Sequence, residues 1–539
     1  MNCTTNFLPY QRTGYFSAIA IDYLQQHKQL QSFYNYEVSV DGIKKSIESR
    51  KTFSTNRKLL VDELRKQYTG IPFTAKQEQH LQSLLSENTF TITTAHQPNI
   101  FTGPLFFIYK IFHAIKLADE LSNEMNGFKF VPVYYMGSED ADLDELGFIH
   151  LGSNKITWNT NQTGAVGRMK VDKGFIKLID LIHGQVGVHP YGKELTDLFK
   201  LFYAEGKTIQ QATLELVNHL FADFGLLILI PDNAALKKSF QSVFEKELTE
   251  EFSHKAVVQT INELSKNYKI QTSGRELNLF YLINDKKERI EVTSYKLQDS
   301  SFRLQVPGLK KEWSKDEILT ELNNYPERFS ANVILRGVFQ ETVLPNIAFI
   351  GGGGELAYWL ELKKVFEAVH VPYPMLILRN SFLWMNKKQL ERLNKLGFTI
   401  NDLFKKQDEL LNEWVRKNSS KQLSIANEVE KIEALYQQLQ TISNNVDVTL
   451  SQHTKALQAK SLKQLKGLEK KIVRAEKRNF ETEQRQIEKL KQELFPDNSL
   501  QERYENFSLL YAQFGKEWLQ TIYSASKGLA QEFCVITAE

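Results

Sequence analysis

The stretch Ile347-Ala348-Phe349-Ile350-Gly351-Gly352-Gly353-Gly354-Glu355-Leu356-Ala357-Tyr358-Trp359 joins an apolar run, a glycine run and the start of an amphipathic segment. It reads as a buried strand breaking into a loop and then a helix. A helix start offers unpaired N–H groups and partial positive charge, which suit phosphate or carboxylate. A second stretch, Thr93-Thr94-Ala95-His96-Gln97-Pro98-Asn99-Ile100-Phe101-Thr102-Gly103-Pro104-Leu105, reads the same way. Two such junctions predict an α/β enzyme that handles anionic reactants. One or two glycines would serve a tight turn. The longer run Gly351, Gly352, Gly353 and Gly354 predicts close approach of backbone to a nucleotide or other anion, with Glu355 and Tyr358 beside it. It contains neither Gly-Lys-Ser/Thr nor Gly-x-Gly-x-x-Gly, so the usual nucleotide fingerprints do not apply.

Outward from these junctions, apolar runs at 91–94, 128–136, 226–230, 333–335 and 347–350 read as strands alternating with helical patterns. After Leu105, residues Ile108, Ile111, Phe112, Ile115 and Ala118 fall on one helical face, with Thr102 as cap and Pro104 in the first turn. Hairpin-like stretches at 278–283 and 290–293 predict insertions. From 425 to 494 there is no proline and a single glycine, Gly467. Steps of three and four run through Val429, Ile432, Leu435, Leu439, Ile442 and Val446, then through Leu465, Leu468, Ile472 and Ala475. That is the seam of an antiparallel coiled coil bending at Ser443-Asn444-Asn445. The expected organisation is an α/β catalytic core over 1–384 with insertions at roughly 155–328, a helical coiled-coil domain over 385–499, and a helical segment over 500–539 packing on the core.

Composition narrows the function. A net charge of +3 over 539 residues argues against a nucleic-acid coat or a membrane-surface protein. Cys3 and Cys534 form no disulfide framework. The start lacks a signal-peptide pattern, and no apolar stretch approaches the roughly 20 residues that span a bilayer, so cytoplasm is the expected compartment.

The acids Glu139, Asp140 and Asp142, with Asp144 and Glu145, follow the strand at 128–136, where open α/β sheets bind ligands. They suit an ammonium, a sugar hydroxyl or Mg2+. His96, beside Gln97 and Asn99, is placed to donate to a transferring phosphoryl or adenylyl oxygen. Lys110 lies two turns into the next helix and is expected in solvent unless that face lines the cleft. No metal site is expected: zinc-type cysteine pairs and His-Glu-x-x-His are missing, as is a Gly-x-Ser-x-Gly elbow.

At these residues the chain resembles BshC, the cysteine-adding enzyme family of bacillithiol biosynthesis. The resemblance rests on 96–105 with Lys110, on 132–145, on Gly164-Ala165-Val166-Gly167-Arg168 and on Asn278-Leu279-Phe280-Tyr281. Its most specific block runs from Pro326 through Asn332, Arg336, Gln340-Glu341 and Pro345 to Gly354-Glu355-Leu356-Ala357-Tyr358-Trp359, and the tail 500–506 also fits. Family members often carry Gly-Gln-Gln-Ala-Gly-Leu-Phe-Thr-Gly-Pro where this chain has 95–104, so His96 is a departure.

The resemblance implies a Rossmann-like core with connector insertions and a dimerising coiled coil. The implied reaction joins cysteine to the amine of glucosaminyl-malate, with ATP, accompanied by Mg2+, activating the cysteine carboxylate. Arg168 and Arg336 suit the malate carboxylates. Gln97, Asn99, Thr102, Gly103, Lys110, Asn278, Tyr281 and Gln340 complete the expected substrate contacts. Glu139, Asp140 or Asp142 would accept the amines, one of them as base. A thiol pocket without zinc and a homodimer are expected. A nucleotidylyl transferase acting on another small acid and a non-enzymatic coiled-coil scaffold are the rival readings.

Overall fold

The computed structural model describes residues 2–292 and 303–538; Thr293, at the end of the expected hairpin 290–293, lies outside the described residues. The chain forms two compact units, Met1–Leu383 with Leu500–Ile536, and Trp384–Ser499 with Thr537–Glu539.

The first unit is built on five parallel strands: β1 Thr89–His96, β2 Lys129–Met136, β3 Leu227–Leu229, β4 Asn346–Gly351 and β5 Met375–Leu378. Their order across the sheet is β3-β2-β1-β4-β5. The chain therefore starts in the middle and reverses direction between β1 and β4, the Rossmann-like switch point beyond which ligands bind. The strands are short β-branched and aromatic runs covered on both faces, as parallel sheets require. The helix α1, Phe106–Glu124, covers one face and packs Ala114, Leu117, Ala118 and Leu121 with Ile92, Ile347, Ile350 and Ile377. Each fully buried aliphatic of this kind contributes about 1.5–3 kcal/mol. Polar side chains at the centre of the sheet pair across it: Thr93 Oγ1 donates to Asn346 Oδ1 at 2.8 Å and Thr94 Oγ1 to Ile350 O at 2.8 Å.

Local reading went astray in particular places. Residues 333–335, expected as a strand, begin the helix α2, Val333–Val343, because the Asn332 side chain caps it by accepting from Ile334 N at 2.8 Å. A three-residue apolar run carries no period that separates the two. The strand β5 was not anticipated. Thr102 does not cap α1; it sits at φ +70° in a turn with Phe101 at +48°. Asn506 secures that turn by donating to Phe101 O at 2.9 Å and to Gly103 O at 2.5 Å. Within the insertion, Leu279–Ile283 pairs antiparallel with Phe329–Ala331 and with Lys286–Arg289. The segment after 500 is helical only to Ala525 and ends in a strand, Glu532–Ala538.

In the second unit, α4 Ala426–Val446 and α5 Val448–Lys477 form an antiparallel hairpin. Its rungs are Tyr436 to Ser461 at 2.7 Å, Gln440 to Gln458 at 2.7 Å and Ser443 to Thr454 at 2.8 Å. The bend falls at Asp447, later than expected, where the carboxylate caps α5 by accepting from Thr449 N. The seam is only partly covered. Leu435, Leu439 and Ile442 remain 52%, 40% and 60% exposed, and Val473 rather than Ile472 is buried. No helix among the described residues is long and apolar enough to cross a membrane.

Candidate active site

Parallel register brings the carboxyl ends of the strands to one edge: His96 lies beside Met136, Thr94 beside Ile350, and Gly351 beside Leu378. The two junctions singled out in the sequence therefore meet at the switch point. An ion pair ties them together. Lys110, fully buried on α1, donates to Glu355 at 2.8 Å and 3.0 Å and to Ala95 O at 2.6 Å. Burial lowers its pKa, and Glu355 opposes that shift. Lys110 is thus neither solvated nor free to hold substrate; it fixes the end of β1 against the helix α3, Gly353–Leu360.

The glycine run is not a turn that requires left-handed backbone. None of Gly351 to Gly354 has positive φ. The Glu355 carboxylate folds back to accept from Gly352 N at 2.8 Å, so the chain's own anion takes part of the helix start. No side chain caps the first turn of α3, and a Cβ on Gly354 would meet nothing within 4 Å. On Gly351 it would strike the Phe349 ring at 2.8 Å. Gly353 is buried against Phe16 and Ala20, so backbone at Gly354 is what stays open.

His96 stands at the end of β1 against the rings of Phe106 and Phe107, at 5.2 Å and 5.7 Å. Its Nε2 is buried and has no hydrogen-bond partner among the described residues, nor do Tyr135 Oη near the end of β2 and Ser138 Oγ just beyond it. Burial first, then the nearby Lys110, Arg336 and Arg379, hold its pKa well below the usual histidine range. The imidazole is neutral. Across from it, Asp140 accepts from Gln97 Nε2 at 3.1 Å and lies 3.9 Å from the Arg336 guanidinium. Burial would raise this carboxyl, but Lys287, Arg336 and the Gln97 bond outweigh it, so Asp140 is held ionised. Arg336, from α2, stands beside Tyr358, whose pKa burial pushes up to about 12. A Cβ on Gly137 would lie 3.3 Å from Arg336 Nη1 and 3.7 Å from His96 O, which shows how closely these strand ends converge.

Other expected contacts are committed elsewhere. Arg168 forms a two-pronged pair with Asp232, at 2.7 Å and 2.6 Å. Lys237 bonds Glu139 and lies 3.6 Å from Asp232. Burial first raises the Glu139 pKa, against the pull of Lys237. Arg168 and Glu139 thus belong to one charge-compensated cluster. Asp142 is exposed and caps a short helix through Glu145 N. Asn99, Thr102 and Gly103 shape the loop: a Cβ on Gly103 would come within 2.8 Å of Asn99, and Asn99 Oδ1 and Thr102 Oγ1 are sealed from solvent. Asn278 is buried among Ser253, Glu247 and Asn332. Tyr281 bonds Glu321 and Lys311, and Gln340 bonds Glu341 at 2.9 Å inside the core.

The sequence reading missed three cations. Arg379 directly follows β5, donates to Glu502 at 2.7 Å, and has Nε 3.6 Å from where a Gly352 Cβ would be. Recognition of the fifth strand would have flagged it as a strand-end residue. The exposed Arg503 makes no side-chain hydrogen bond or ion pair among the described residues and lies within electrostatic reach of Glu355 and Arg379. Lys287 stacks over Phe280 at 4.5 Å and faces Asp140 and Glu139. No group of three or more His, Cys, Asp or Glu among the described residues is placed to hold a metal ion.

An open parallel sheet with a reversal point, a glycine-rich helix start and cations around a buried histidine place the chain among Rossmann-like α/β proteins. The chain belongs to the BshC family: residues 1–380 match "Bacillithiol biosynthesis BshC, N-terminal Rossmann-like domain" and residues 382–538 its C-terminal coiled-coil domain. A Flavobacterium johnsoniae relative named "Putative cysteine ligase BshC" is 39% identical, with 99% of each chain covered. Relatives of the same name from Flavobacterium psychrophilum and Christiangramia forsetii are 38% and 37% identical over 99% of each chain.

Proposed function

We propose that the protein is a carbon–nitrogen ligase joining the carboxyl of cysteine to the amine of glucosaminyl-malate, at the crevice between β1 and β4. The observation that carries this reading is the grouping of neutral His96, ionised Asp140 and Arg336 at the switch point, with open backbone at Gly354. The names of full-length relatives supply the substrate cysteine.

ATP, when bound, supplies the activation of the cysteine carboxylate. The N–H group of Gly354, with Arg379 and Arg503 nearby, suits its phosphates. Such donors stabilise charge on a departing phosphate without reorganising. Arg336 pairs with a carboxylate of the malate in place of its long contact to Asp140. Asp140 then accepts from the attacking amine. His96, held neutral, serves as a hydrogen-bond donor to oxygen rather than as a standing cation. Arg168 takes no direct part, since Asp232 satisfies its guanidinium. The exposed apolar positions of α4 support self-association as a homodimer.

Incubation of purified protein with cysteine, glucosaminyl-malate and ATP should yield the amide product with stoichiometric release of AMP or ADP. Nucleotide release that does not require cysteine would instead favour a nucleotidylyl transferase on another acid.

A further inference from the structure

Away from the strand ends, a cavity of about 700 Å3 opens between the loop 159–174 and the hairpin turn 282–286. That volume falls within the range of small-molecule sites, roughly 300–1,000 Å3. Part of its lining is fixed by the protein itself. Asp172 accepts from Trp158 Nε1 at 3.0 Å and Thr160 Oγ1 at 2.9 Å, and Gln162 clasps both backbone groups of Lys170 at 2.8 Å. By contrast, Asn159, Asn161 and Asn284 line the cavity with side-chain amides that bond to no other described residue. Ala165, Met169 and Leu282 add an apolar wall.

Amides that both donate and accept, set against an apolar wall, match a sugar ring. Its hydroxyls need both roles, and its C–H face needs none. Charge here is mixed: Arg168 on the wall is paired with Asp232, Asp172 is spent on its own loop, and Lys170, Asp285 and Lys286 also line the cavity.

The cavity is joined to the candidate active site by backbone. Val166 N donates to Asp140 O at 2.7 Å and Gly167 N to Ser138 O at 3.0 Å, so the wall residues Ala165 and Arg168 flank a turn stitched to the acidic loop. A shallower pocket reaching Asp142 and Asp144 shares Gln162, Thr163 and Met169 with it. We infer that this cavity is the subsite for the glucosamine ring of the acceptor, with the amine and the malate directed toward Asp140 and Arg336. The assignment rests on glucosaminyl-malate being the acceptor, as proposed above.

Calorimetric titration of the full chain with glucosaminyl-malate tests it. The double variant N161L/N284L should bind the conjugate about tenfold or more weakly, while its affinity for free malate stays unchanged. Thermal melting reports whether the variant folds; should the leucine pair unfold, N161A/N284A reads the same quantity. Unchanged affinity for the conjugate in a folded variant overturns the cavity assignment and leaves the proposed reaction standing. Equal weakening of malate and conjugate also overturns it, because the effect is then not sugar-specific. If the wild-type protein binds no glucosaminyl-malate, the acceptor reading and the subsite fall together.

Discussion

Arg336 is the side chain proposed to hold a carboxylate of the acceptor: its one close carboxylate among the described residues, Asp140, stands at 3.9 Å and is shared with Gln97. Arg336→Ala should therefore lower kcat/KM for glucosaminyl-malate about a hundredfold. Arg336→Lys should recover only part, because an ammonium cannot make the paired geometry; steady-state kinetics reads both. A second residue-scale prediction concerns His113 on α1. Its Nε2 faces Gly528 O at 2.6 Å and its Nδ1 faces Asn380 N–H at 3.0 Å, so the ring must be neutral with the proton on Nε2. Burial accordingly depresses its pKa from 6.5 to about 4. Below 6.5 the unfolded chain binds a proton that the folded one refuses. Stability contributed by neutral His113 is thus present above pH 6.5 and lost as pH falls toward 4, by ~3 kcal/mol in all. Denaturant titrations across that window should show the loss, and His113→Gln should flatten it.

At the scale of elements, the helix start at 351–354 separates packing from access. Gly351→Ala puts a methyl 2.8 Å from the Phe349 ring and 3.0 Å from Glu355 Cβ, and should destabilise by about 1–3 kcal/mol. Gly354→Ala meets open space within a helix and should leave stability level or higher, by up to about 1 kcal/mol. If ATP phosphates approach there, the same alanine raises KM for ATP without lowering the melting temperature; equal KM for wild type and variant would remove Gly354 from the site. Both junctions were legible in the sequence because a strand, a glycine break and an amphipathic start are local patterns. The Glu355 carboxylate on Gly352 N was not legible, since the same glutamate also answers Lys110, distant in sequence.

At the scale of the molecule, the hairpin of α4 and α5 leaves Ile442, Val446 and Val448 at 60%, 76% and 72% exposure. A second copy is the expected cover. Light scattering after gel filtration should give a dimer for the wild type. Leu439→Lys with Ile442→Lys should give a folded monomer; an unchanged mass would place self-association elsewhere. Periodicity showed that a coiled coil exists but assigned its covered face imperfectly, because two helices bury one side only and this pair is held by polar rungs such as Gln440 to Gln458.

Apolar periods, glycine breaks and the acid run after β2 were properties of the chain alone. They report which faces turn inward and where a strand breaks into a helix, and such preferences act over a few residues. The order of the strands, and hence which junctions share a crevice, was decided by packing across the sheet. So was the fate of each charge: Arg168 went to Asp232, Lys110 to Glu355 and Arg379 to Glu502, while Arg336 stayed available. Ion pairs form between groups that folding brings within ångströms, and separation along the chain does not encode that distance.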